Sequence, residues 1–89
     1  MPWRIEVTEA AARQIRGQGP AGAARIRKYL RTRLEPLDDP RQLGKPLTGS
    51  ALGRLWRYRA GDYRLLCEIR DDALVVLVVA VGHRRSIYR

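Results

Sequence analysis

Residues 54–64 read Arg-Leu-Trp-Arg-Tyr-Arg-Ala-Gly-Asp-Tyr-Arg, and their alternation leaves the chain few ways to fold. Large apolar residues at every second position, with arginines between them, define the two faces of an extended strand. Trp56 and Tyr58 fall on one face, Arg57 and Arg59 on the other. Ala60-Gly61-Asp62 is a tight-turn signal, in which Gly supplies a positive φ. A two-residue loop at Gly61-Asp62 opposes Arg59 to Arg64, and one at Ala60-Gly61 opposes Arg57 to Arg64. Either choice puts Arg57, Arg59 and Arg64 on one face, with Tyr63, Leu65, Cys67 and Ile69 joining Trp56 and Tyr58 on the other. A three-residue loop would reverse this parity. Like charges opposed across a sheet destabilise it by roughly a few tenths of a kcal/mol or more. Three arginines on one small face therefore point to an anionic ligand rather than to stability.

The flanking sequence predicts the rest of the sheet. Trp3, Ile5 and Val7 alternate with Arg4 and Glu6, the pattern of a half-buried strand. Thr8 is the expected N-cap of a short helix over residues 9–16, which Gly17 ends. Gly19-Pro20 opens a second helix, with Ala23, Ile26, Leu30 and Leu34 at helical spacing through about Glu35. Arg25, Lys28 and Arg31 coat its other side. Residues 36–50 carry Pro36, Pro40, Gly44, Pro46 and Gly49, a density read as a loop without regular structure. Strands follow over about 53–59 and 63–70. Asp71-Asp72 turns the chain into a third, residues 74–81, apolar on both faces and read as the central strand. The expected fold class is α+β, in the order β-α-α-β-β-β. It is one domain over residues 1–89, with two helices packed on one face of a small, mainly antiparallel sheet. On the opposite face Val75, Leu77 and Val79 are expected beside the arginines, an apolar strip that suggests a binding surface.

Charge narrows the partners. The net charge is +9, and residues 10–34 hold seven Arg or Lys and no acid. Solubility alone accounts for an excess of base but not for its clustering, which implies a polyanionic partner: nucleic acid or an acidic protein. A single cysteine, Cys67, makes no internal disulfide and reads as a small buried hydrophobe suited to a reducing cytoplasm. The run 73–81 is too short to span a bilayer, and no signal peptide is visible, so the expected location is cytoplasmic with no membrane contact. No HExxH, P-loop or Cys/His cluster is present, so neither metal nor nucleotide cofactor is indicated.

Several segments together resemble the RelE/ParE superfamily of type II toxins. They are Trp-Arg-Ile-Glu-Val at the start, Asp-Pro-Arg at 39–41 and Gly-Lys-Pro-Leu at 44–47. Stronger are Leu-Trp-Arg-Tyr-Arg-Ala-Gly-Asp-Tyr-Arg-Leu-Leu at 55–66 and Val-Gly-His-Arg-Arg-Ser-Ile-Tyr-Arg at 81–89. Their order and spacing are closer to the RelE branch. The resemblance implies a ribosome-dependent mRNA endonuclease acting in the A site, which cleaves without metal by attack of a ribose 2′-hydroxyl on the adjacent phosphate. It implies a cognate antitoxin as partner, with operator DNA bound by the toxin–antitoxin complex. The positions matching the family's catalytic groups are Arg57, Arg64, Arg84 and Tyr88, with His83 where relatives carry Lys or His. Arg59, Arg54, Lys45 and Arg85 are the expected RNA contacts. The RelE pattern has two lysines, two apart, on the first hairpin strand. Here the second matches Arg57 and the first falls on Leu55. Arginine stays protonated and stabilises charge without moving protons. Acid–base work is thus left to His83, which titrates near neutrality, or to Tyr88 beside cations. The alternatives are a ParE-like inhibitor of DNA gyrase and a catalytically silent relative that only binds its antitoxin.

Overall fold

The computed structural model describes residues 2–47 and 54–84. Strand β1 (Arg4–Val7) leads into helix α1 (Glu9–Gly17), then helix α2 (Gly19–Tyr29). A short β2 (Lys45–Pro46) precedes β3 (Leu55–Ala60), β4 (Tyr63–Arg70) and β5 (Val75–His83). The sheet order is β1-β5-β4-β3-β2. Only the β1–β5 pair is parallel, and the other three are antiparallel.

The helix boundaries follow the sequence signals. The Thr8 hydroxyl accepts from the Ala11 N–H at 3.1 Å, closing the first turn of α1. Pro20 stands in the first turn of α2, where its missing N–H costs nothing. The helical register extends past Tyr29 as a π-helical turn, Leu30–Leu34, in which the Glu35 N–H donates to the Leu30 carbonyl at 2.9 Å. Both Leu30 and Leu34 still reach the core.

Two expectations are corrected. Residues 36–50 are not wholly irregular. A 3-10 turn at Pro40–Gln42 is capped by Asp39, whose side chain accepts from the Arg41 N–H, and β2 adds two residues to the sheet edge. Prolines and glycines hid these elements because both are shorter than any periodicity can reveal. The apolar strand β5 is interior but not central. β4 is the middle strand of the five, and β5 lies between it and β1.

The core forms between the helices and one sheet face. Ala11 and Ile15 of α1 and Ala23 and Ile26 of α2, with Leu30 and Leu34, meet Tyr58, Leu65, Cys67, Val76, Val78 and Val81. Trp56 and Tyr63 pack against this cluster from the same face. Burial pushes the Cys67 thiol pKa up, so it stays protonated. The Tyr58 ring is fully buried, and its hydroxyl donates to the Pro40 carbonyl at 2.7 Å. That bond ties the 36–47 segment to the sheet, as does the 2.7 Å bond from Trp56 Nε1 to the Leu43 carbonyl. At the other end Arg41 makes a bidentate pair with Asp71, both contacts 2.8 Å, and this partner holds the Asp71 carboxyl below its ordinary pKa. No helix among the described residues is long and apolar enough to cross a membrane.

Candidate active site

The hairpin turn is Gly61-Asp62, since Ala60 pairs with Tyr63 and Arg59 lies directly opposite Arg64. Gly61 has φ +63°, a value that favours glycine, and a Cβ there would also sit 2.9 Å from the Arg25 guanidinium. This register puts two rows of side chains on the sheet face away from the helices. One row is Lys45, Arg57, Leu66 and Ala80; the next is Arg59, Arg64 and Gly82. Four cations thus share this face with the small residues Ala80 and Gly82 of β5. Among the described residues of the strands, the acids on this face are Glu68 and Glu6, both away from the turn; Glu68 pairs with Arg70 at 3.1 Å and Glu6 with Arg4 at 3.2 Å.

Arg64 is 8% exposed, the one buried charged residue among the described residues. Its Nη1 donates to the Gly61 carbonyl at 3.0 Å and the Tyr63 carbonyl at 3.1 Å. These bonds fix the fork beside the turn. Arg84 approaches the same turn from the end of β5: its N–H donates to the Asp62 carbonyl at 2.8 Å and its Nε lies 3.7 Å from the Asp62 carboxylate. Arg57 is half-buried and Arg59 exposed.

A bulge in β5 decides the fate of His83. Leu66 pairs with Ala80, but Cys67 pairs with Val78, so Val79 is an extra residue. Beyond it the faces exchange. Gly82 turns towards Arg64, and His83, opposite Tyr63, turns towards the helices, with its ring edge-on to Tyr63 at 6.1 Å between centroids. His83 thus lines a separate pocket of about 260 Å³ with Gly22, Arg25, Asp62 and Tyr63, on the far side of the sheet from Arg57 and Arg59. The expectation that His83 joins the arginines does not hold, because strict alternation ignores the bulge. The expected apolar strip is also reduced, since Val75 is buried and Leu77 and Val79 are half-buried. Arg54 is likewise apart: it borders a groove at the opposite end of β3 with Arg41, Pro46, Trp56 and Ile69. Tyr88 and Arg85 lie outside the described residues.

One residue escaped the sequence reading. Tyr29 walls a groove of about 210 Å³ with Leu43, Gly44, Lys45, Arg57 and Arg59, at the exposed edge of β3. Its position in a basic helix was the available signal. Desolvation holds its phenol above its ordinary pKa, against the lowering effect of Arg33, so it stays neutral. Gly44 makes the edge possible: it has φ +78°, and a Cβ would overlap the Arg57 carbonyl oxygen. Gly44→Ala is expected to lower stability by at least roughly 1–2 kcal/mol in a urea titration, whereas Gly17→Ala, with open space around it, stays neutral or gains. Equal behaviour of the two would mean that Gly44 does not fix β2 on β3. Among the described residues no group of three or more His, Cys, Asp or Glu could hold a metal ion.

An α+β fold with basic residues gathered on the sheet face away from the helices is the frame for the comparison with known proteins. The family model for the ParE toxin of type II toxin–antitoxin systems (parDE) matches residues 5–88. Toxin RelG of Mycobacterium tuberculosis is 33% identical over 89 residues, covering 100% of this chain and 99% of that protein. Toxin RelE of the same organism is 32% identical over 88 residues, covering 99% and 88%. The toxin–antitoxin complex RelBE2 of M. tuberculosis contains a chain matched with TM-score 0.83 and 30% identity, over 94% of this chain and 100% of that one. The isolated Escherichia coli RelE toxin shares the fold at TM-score 0.67 and 23% identity, over 91% of this chain and 83% of that one. The chain belongs to the RelE/ParE superfamily and is a toxin of the type II toxin–antitoxin class.

Proposed function

We propose that this toxin is a ribosome-dependent mRNA endonuclease, held inactive by a cognate antitoxin. The observation that carries the reading is the face on which Lys45, Arg57, Arg59 and Arg64 converge at the hairpin end, with Arg84 beside the turn. RNA cleavage by transesterification requires that the 2′-oxygen lose its proton and bond to phosphorus. The P–O5′ bond breaks, and the leaving 5′-oxygen takes a proton. Arg57, Arg64 and Arg84 stabilise the extra negative charge on the phosphorane through charge-assisted, bidentate bonds. No step calls for a metal. His83 faces the helices, so the proton transfer is assigned to Tyr88, the terminal tyrosine that the family resemblance matches. Lys45, Arg59, Arg54 and Arg85 hold the RNA backbone.

The test is primer extension on a reporter mRNA in a translating extract. Cuts within translated codons, dependent on ribosomes and suppressed by the antitoxin, are expected. Translation arrest without cuts overturns the reading. The match to the ParE family model favours one second reading, inhibition of DNA gyrase, on the same fold. Loss of supercoiling activity in a purified gyrase assay, with mRNA intact, would select it.

A further inference from the structure

The arginine face does not end at the sheet edge. β2 pairs only Lys45 with Arg57 and Pro46 with Trp56, so it covers no residue of β3 beyond Arg57. There the groove walled by Tyr29 opens, and a second groove of about 340 Å³ shares Tyr29 as a wall. Arg25, Lys28, Thr32 and Arg33 line it against the hairpin turn. The π-helical turn Leu30–Leu34 lies under this part of the surface, a departure from α geometry often found at functional sites. The two grooves together hold six cations and no acid.

The chemistry of this track selects its ligand. Closely spaced cations need a polyanion, and a half-buried aromatic ring among them offers a stacking platform. An amphipathic protein segment would need large apolar residues to dock against. Among the described residues the exposed large hydrophobics are Val7 and Leu74, and Val7 belongs to β1, the opposite edge of the sheet. We propose that the track from the arginine face over Tyr29 to the α2 bases is a second RNA site. It holds a single-stranded segment continuous with the cut strand, with a base on Tyr29 and phosphates on Lys28 and Arg33. The assignment rests on the nuclease reading above and adds to it where the RNA runs after leaving the cleft.

Fluorescence anisotropy with 2′-O-methylated oligoribonucleotides, which lack the attacking hydroxyl, tests this on the full chain. A ten-nucleotide probe spans both grooves and a three-nucleotide probe only the arginine face. Tyr29→Leu should weaken the ten-mer about tenfold, and Tyr29→Phe should leave it unchanged. K28Q/R33Q, at exposed positions, should reduce the slope of log K against log salt by about 1.4 for the ten-mer. Three-mer binding should not move. A ten-mer slope unchanged in K28Q/R33Q overturns the track while leaving the nuclease reading standing. Failure of wild type to bind the ten-mer more tightly than the three-mer also overturns the track, and the nuclease reading is decided separately by the primer-extension assay. Loss of antitoxin binding in K28Q/R33Q with RNA binding intact would make the surface a protein interface and overturn the proposal.

Discussion

Arg64→Ala is expected to lower the single-turnover rate of mRNA cleavage by about 10²–10³-fold, the cost of removing one preorganised donor from a developing oxyanion. Arg64 is nearly buried, and its fork is fixed by two carbonyls of the turn, so it reaches the reaction already oriented. It stands directly opposite Arg59, with Gly82 as its partner on the other side. Arg64→Lys keeps the charge and loses the fork, and should recover only part of the rate. Arg70→Ala is the control: Arg70 is exposed and paired with Glu68 at the far end of β4, and its loss should change the rate by no more than about twofold. Because Arg64 also braces the turn, antitoxin binding and thermal unfolding are measured alongside. A rate within tenfold of wild type in a folded Arg64→Ala protein would remove the arginine face from the chemistry.

The second large effect is on stability. Tyr58→Ala removes a fully buried aromatic ring from the junction of sheet, helices and the 36–47 segment, and should cost about 3–5 kcal/mol. Domains of this kind hold roughly 5–15 kcal/mol in total. The variant should therefore unfold at much lower urea and lose Trp fluorescence structure near Leu43. Tyr58→Phe keeps the ring and strands the Pro40 carbonyl, at about 1–3 kcal/mol. If the two variants are equally stable, the hydroxyl bond rather than the ring carries the site.

Much of this molecule is written in periodicities. The hairpin, its two-residue turn and the shared arginine face follow from alternation and one Gly, and the helical core from Ala23, Ile26, Leu30 and Leu34. What alternation misses is any single residue that breaks it. The extra Val79 reverses the faces of β5, which sends His83 to the helices and brings Gly82 to Arg64. Leu74, read as the start of a strand, adopts φ +53° and completes the preceding turn, a conformation a side chain of its kind rarely takes. The burial of Arg64 could not be read from the sequence, because burial of a charge depends on tertiary neighbours that no local pattern encodes. Tyr29 fell outside the apolar helical pattern, and only the tertiary packing shows that it walls a groove.

The parallel β1–β5 pair also sets an order of assembly. Arg4 pairs with Val75, so the strand made early in synthesis waits for one made much later. The β3–β4 hairpin needs only local contacts and forms within microseconds. The long-range pairing is the slow step, as for other non-local topologies. Arg84 lies beyond β5 and reaches the Asp62 turn only after that strand is in place. A chain interrupted before β5 therefore carries the arginine hairpin without the completed sheet or Arg84. Damage to the host is tied to a finished polypeptide, and the time needed to finish it is time in which an antitoxin can be made.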